Sequence, residues 1–162
     1  MKKVLIAAAC LVLFACSTPK QIGNIAQATT ECTDCTVIVE QNKQLNVLGN
    51  SDTGTYYNFS ENTNTTVIKY TYETGKDATT VDGGYTETLL FQLPNNITQG
   101  EWIDKEIQQL NPVLNVQCYC KGKAGVYPIT SGIISLKKNT LTVSIPNLVA
   151  NQQLLNLSIS LK

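Results

Sequence analysis

Histidine and arginine are both absent from this chain of 162 residues, and all twelve of its basic residues are lysine. Without imidazole there is no Ser-His-Asp or Cys-His relay and no histidine ligand for a metal. Without guanidinium there is no planar fork for bidentate recognition of phosphate or guanine. Twelve acids balance the twelve lysines, so no net charge draws the chain to nucleic acid, and no nucleic-acid partner is expected. No cofactor motif is present and no metal site is expected. The apolar run 4–15 is about a dozen residues long, short of the roughly 20 that a permanent membrane-spanning helix requires.

What the chain does have begins with an address. Lys2 and Lys3 precede the apolar run, and a cysteine followed by polar sequence ends it, the pattern of a secretory signal peptide. Leu13-Phe14-Ala15-Cys16 resembles a bacterial lipobox, although Phe14 is bulkier than the residue usual there. The resemblance implies that residues 1–15 are removed as signal peptide. It also implies that Cys16 becomes the mature N-terminus, carrying a thioether-linked diacylglycerol and an amide-linked acyl chain such as palmitate. Several acyl chains hold a protein on a membrane stably, whereas one binds marginally. Ser17 after the cysteine fits outer-membrane sorting, so the expected place is the bacterial cell envelope, lipid-anchored at the outer membrane. Loss of Lys2 and Lys3 leaves ten lysines against twelve acids, so the expected membrane partner is reached through lipid rather than a basic patch. Residues 16–31 are polar and small, and read as a flexible tether reaching about 20 Å.

Residues 32–162 read as one domain built of strands. Leu155, Leu157, Ile159 and Leu161 alternate with Asn156, Ser158 and Ser160, the period of a half-buried strand. Leu141, Val143 and Ile145 repeat the pattern, and Lys137-Lys138-Asn139 separates them from Ile134 and Leu136 as a hairpin turn. Further candidates are 36–41, 44–48, 55–60, 66–73 and 85–93, rich in Thr, Val, Ile and Tyr. Short strands at this spacing predict an all-β fold, an antiparallel β-sandwich with a small β-barrel as the alternative. One short helix is predicted near 98–110, because Thr98-Gln99-Gly100-Glu101 matches a capping box and Ile103, Ile107 and Leu110 share a helical face.

Four cysteines fall within the domain, as Cys32-x-x-Cys35 and Cys118-x-Cys120, and an even number in an exported chain points to disulfides. Leu114, Val116, Cys118 and Cys120 read as one face of the same strand, which sets Cys118 and Cys120 about 7 Å apart, too far to bond each other. The expectation is therefore bridges between the two pairs, closing a loop of more than 80 residues worth about 4.5 kcal/mol for the first and less for the second. A thioredoxin-type role for Cys32-Thr33-Asp34-Cys35 lacks the helix such chemistry needs, since a strand follows it. A tetrathiolate zinc site is disfavoured by an oxidising compartment.

The acids are scattered. Asp52-Thr53-Gly54 carries the tripeptide of aspartic proteases, but occurs once and in polar surroundings, so it reads as a surface turn. Glu73, Asp77, Asp82, Glu87, Glu101, Asp104 and Glu106 offer carboxylates from which a glycosidase pair would be drawn. They read as solvated edges and turns, so no catalytic residue is assigned. Among aromatics, Ile68, Tyr70 and Tyr72 read as the core face of a strand. Tyr56 and Tyr57 are neighbours and must point to opposite faces, and with Trp102 they are the candidate ligand contacts. The expected role is a non-catalytic module binding a protein or glycan partner, or supporting an envelope assembly. The alternative is a carboxylate-dependent hydrolase acting on an envelope glycan or peptide.

Overall fold

A computed structural model describes residues 27–50, 54–75 and 83–162. The expected signal peptide (1–15), Cys16, Asp52, Thr53, Asp77 and Asp82 lie outside the described residues. Strict alternation near the C-terminus becomes three adjacent antiparallel strands, β8 (Ile133–Lys137), β9 (Thr140–Ser144) and β10 (Asn156–Leu161). Lys138 and Asn139, at φ 49° and 66°, both take the left-handed conformation. Two such residues form the two-residue turn whose twist matches the strands it joins. With β1 (Ala28–Thr29) and β5 (Gly100–Ile103) these strands form a sheet in the order β1-β10-β9-β8-β5. A second sheet has the order β2-β3-β4-β6-β7, from Cys35–Asn50, Gly54–Thr74, Tyr85–Pro94, Val113–Cys118 and Gly125–Pro128. The two antiparallel sheets make a β-sandwich, not a closed barrel. Among the described residues no helix is long and apolar enough to cross a membrane.

The core lies between the inner faces. Ile68 and Tyr70 on β3, Leu89, Phe91 and Leu93 on β4, and Leu114 and Val116 on β6 meet Ile134, Leu136, Leu141, Val143, Ile159 and Leu161 of the first sheet. The expected stripe of Ile68, Tyr70 and Tyr72 is core: the first two are buried and Tyr72 packs against them half-buried. At Ala28 the chain already pairs with Leu161, so the tether expected to run to residue 31 gives up its last residues to the domain.

The segments 36–41 and 44–48 are one continuous strand, as are 55–60 and 66–73, so β2 and β3 form a long hairpin with a corner in it. Register runs from Gln41 opposite Thr66 directly to Lys43 opposite Glu61. Asn42 alone, at φ 57°, thus faces residues 62–65. Such unequal insertion bends a hairpin sharply. Asn95 pins the corner: its amide donates to the Thr63 carbonyl at 2.7 Å, and its side-chain oxygen accepts from Thr66 Oγ1 at 2.5 Å. Beyond the corner the arm folds back over the outer face of its own sheet. Leu45 is buried there with Val67, Leu90 and Val113, all phased opposite to the inner-core residues. Leu45 N–H donates to Gln92 Oε1 at 2.9 Å, and Asn111 Nδ2 donates to the Leu45 carbonyl at 3.0 Å. At the arm's tip a Cβ on Gly49 (φ 116°) would sit 2.0 Å from the Gly54 carbonyl oxygen, so only glycine fits.

The helix predicted near 98–110 is corrected. Gly100–Ile103 is strand β5, paired with β8, and a 3-10 helix begins only at Asp104 and ends at Leu110. Trp102 decides this locally: its indole lies against Gly100, where a Cβ would approach within 2.6 Å, and it packs into the core. Burying that ring as a strand residue outweighs a first-turn helix preference already weakened by glycine. Ile107 and Leu110 still face inward from the shorter helix.

Candidate functional site

Tyr85, Glu87, Leu89 and Phe91 all point inward from β4, and Glu87 is fully buried among them. Among the described residues no lysine pairs with it. Instead its carboxylate gathers donors from the 145–155 connection of the opposite sheet. Gln153 N–H donates to both oxygens at 2.9 Å, Leu154 N–H donates to Oε2 at 2.7 Å, and the Tyr85 hydroxyl donates to Oε1 at 2.5 Å. Gln152 shapes that connection from within, accepting from Leu148 N–H and donating to the carbonyls of Pro146 and Leu154. A carboxylate with this many donors stays paired inside a protein without a cation. Burial first, then the hydrogen bond to Glu87 and its charge, raise the Tyr85 phenol far above the ordinary tyrosine value.

This clamp floors a cleft of about 290 Å³ lined by Tyr72, Thr74, Tyr85, Lys123, Asn151 and Gln153. Two tyrosines, neutral amide and hydroxyl groups and one ammonium make its chemistry. Both carboxylate oxygens of Glu87 beneath it are committed to their donors. Among the described residues no group of three or more Cys, Asp and Glu comes together as a metal site. The cleft lies at the far end of the sandwich from the incoming chain. Gln27 exchanges backbone hydrogen bonds with Lys162 at one end of β10, while the 145–155 connection leads into the other.

The disulfides sit at the rim of this cleft, and their pairing corrects the expectation. Cys32 bonds Cys35 and Cys118 bonds Cys120, each with Cα atoms 5.2 Å apart. Cys35 is opposite Tyr72 on one side, and Cys118 is opposite Tyr85 on the other. With β3 and β4 between them, β2 and β6 stand about 14 Å apart, which forbids a bridge across. The premise of a single strand through Cys120 also fails, because β6 ends at Cys118 and the chain curls at Tyr119. Loops this short remove little chain entropy, about 1.6 to 1.9 kcal/mol each, so these bridges brace rim loops rather than clamp the domain's start to its middle.

The aromatic candidates are dispersed. Tyr56 is 50% exposed on the outer face of the folded arm. Tyr57 faces the body, its hydroxyl accepting from Asn115 Nδ2 at 3.2 Å, and Trp102 packs inward from the other sheet. The cleft residues were not singled out as ligand contacts by sequence. The signal that marks them is Glu87, the one charge on the inward phase of the apolar series Tyr85-x-Glu87-x-Leu89-x-Phe91.

Compared with family models, with curated proteins and with solved structures, the chain matches none.

Proposed function

We propose that this chain is a bacterial cell-envelope lipoprotein, held at the outer membrane by acyl chains on Cys16, whose β-sandwich is a non-catalytic module for a protein or glycan partner. The observation that carries the reading is the polarity of the domain. The tether side, where Gln27 meets Lys162, and the cleft of Tyr72, Tyr85 and Lys123 are at opposite ends of the strands. A domain tethered at one end turns the other outward. Tyrosine rings beside amides and a single lysine suit a hydroxyl-rich or peptide surface, since such rings offer large contact area with a polar tip.

Two measurements on the full chain test this. Cys16→Ser should move the protein from the membrane fraction to the soluble one, whereas retention after alkaline washing would refute lipid anchoring. A photo-crosslinking residue at position 123 should capture an envelope component that the same residue at position 142, on the outer face of the other sheet, does not. Equal capture from both positions would remove the cleft from the proposal. Loss of a hydrolytic activity on substituting a single acid, with folding intact, would replace the binding role with the hydrolase.

A further inference from the structure

The two disulfides differ in ways that their shared place on the cleft rim conceals. The Cys32–Cys35 loop is flanked and filled by acids, Glu31 before it and Asp34 within it. It is tied into the fold: Cys32 N–H donates to Thr30 Oγ1 at 3.3 Å, and Glu73 N–H donates to the Asp34 carbonyl at 3.1 Å. Cys118–Cys120 opens instead into a turn reading Lys121-Gly122-Lys123, with no acid from Cys118 through Gly125. Between the two sulfurs Tyr119 is 94% exposed. A surface pocket of about 380 Å³ is lined by Cys118, Tyr119, Cys120 and Lys121, so an incoming group can reach the bridge. Lys123 N–H donates to the Cys120 carbonyl at 3.3 Å, keeping the second lysine on the same turn.

Thiol–disulfide exchange requires access to a sulfur, and its attacking and leaving groups are both thiolates, which cationic surroundings favour. From this contrast we infer that Cys118–Cys120 is an exchangeable disulfide that oxidises a protein dithiol, while Cys32–Cys35 is a structural one. Cys118 packs against the core and Cys120 lies beyond the strand's end, in the lysine turn. The partner's thiolate therefore attacks Sγ of Cys120. The bond between the two sulfurs breaks, and the electron pair leaves on Cys118 as a thiolate. The partner's second thiolate then attacks its own sulfur in the mixed disulfide and releases Cys120. Two electrons and two protons pass from the dithiol to the pair, giving a disulfide in the partner and two thiols here, once per chain. Lys121 and Lys123 steer the anionic nucleophile and stabilise the thiolates formed.

The test is kinetic and peptide-resolved, on the full chain purified in detergent. Treated with reduced glutathione, trapped with an alkylating reagent and mapped by mass spectrometry, Cys118 and Cys120 should become reactive at least tenfold faster than Cys32 and Cys35. Cys118→Ser should leave a glutathione adduct on Cys120 after treatment with oxidised glutathione, and Cys120→Ser should form the corresponding adduct on Cys118 at least tenfold more slowly. Lys121→Gln with Lys123→Gln, which leaves both bridges in place, should slow reduction of Cys118–Cys120 severalfold and leave Cys32–Cys35 unchanged. Equal reduction rates for the two bridges, or peptides linking either of Cys32 and Cys35 to Cys118 or Cys120, would overturn the inference. An unchanged rate in the double lysine variant would overturn the role given to the charges.

Discussion

Replacing Glu87 by glutamine changes one oxygen to an amide nitrogen and nothing in shape, so it isolates what the buried carboxylate does. In the native protein that group accepts from Gln153 N–H, Leu154 N–H and the Tyr85 hydroxyl. Hydrogen bonds to a charged acceptor contribute about 1.5 to 3 kcal/mol each and neutral ones about 1. The best arrangement of Glu87→Gln keeps its oxygen on the two backbone donors and turns its NH2 toward the Tyr85 oxygen. Three charge-assisted bonds then become neutral ones, a loss of about 1.5 to 6 kcal/mol. Relief of burying a charge opposes that loss. With three donors at 2.5 to 2.9 Å the lost bonds should prevail, for a net destabilisation of about 2 kcal/mol. Glu87→Ala should cost more, about 4 kcal/mol, because it orphans those donors in a dry site and leaves a cavity. Urea unfolding followed through Trp102, the single tryptophan and packed against the core, reads the difference. Amide exchange at Gln153 and Leu154 should accelerate in both variants. If Glu87→Gln is as stable as the native protein or more so, desolvation outweighs the hydrogen bonds and the carboxylate does not clamp the sheets together.

Two further outcomes follow from the same packing. Leu45→Ala removes a fully buried side chain from the small cluster under the folded arm, so it should cost about 2 to 4 kcal/mol. Amide exchange should quicken across 43–49 and 54–62 while β8, β9 and β10 stay protected, and uniform exchange would show that the arm is not a separate layer. Tyr85→Phe should alter the alkaline limb of stability. Because the folded-state pKa of Tyr85 is raised, its contribution is complete below the unfolded value of about 10 and is lost as pH rises beyond it. Stability of the native protein should therefore fall more steeply above pH about 10 than that of Tyr85→Phe, and parallel curves would count against a buried, hydrogen-bonded phenol.

Strands whose faces differ in polarity were legible before the structure. Leu157, Ile159 and Leu161 fall inward and Asn156, Ser158 and Ser160 outward, as period-two alternation requires. The β2–β3 hairpin was not, because it buries residues on both sides of one sheet: Ile68 belongs to the inner core and its neighbour Val67 to the layer beneath the arm. Alternation cannot announce a strand with two dry faces. The polar corner of Asn42 and residues 62–65 then read as two loops where there is one bend. The disulfides were misjudged by extending β6 two residues too far. The cleft was hidden for a different reason, since its floor depends on Gln153 and Leu154 coming from the opposite sheet, a contact 66 or more positions away in sequence.

The short β1 acquires a mechanical meaning from its direction. It runs antiparallel to β10, and the chain enters the domain at its Gln27 end, while the cleft lies toward the end where β1 points. Under the proposed anchoring, a partner pulling on the cleft against the membrane would load the β1–β10 hydrogen bonds along the strand axis, in shear, so that they resist together rather than opening one at a time. The small disulfide ring at Cys32–Cys35 stands next in the path of that force, where β2 begins. Tension entering the domain thus meets a sheared pair and a covalent loop before it reaches the core.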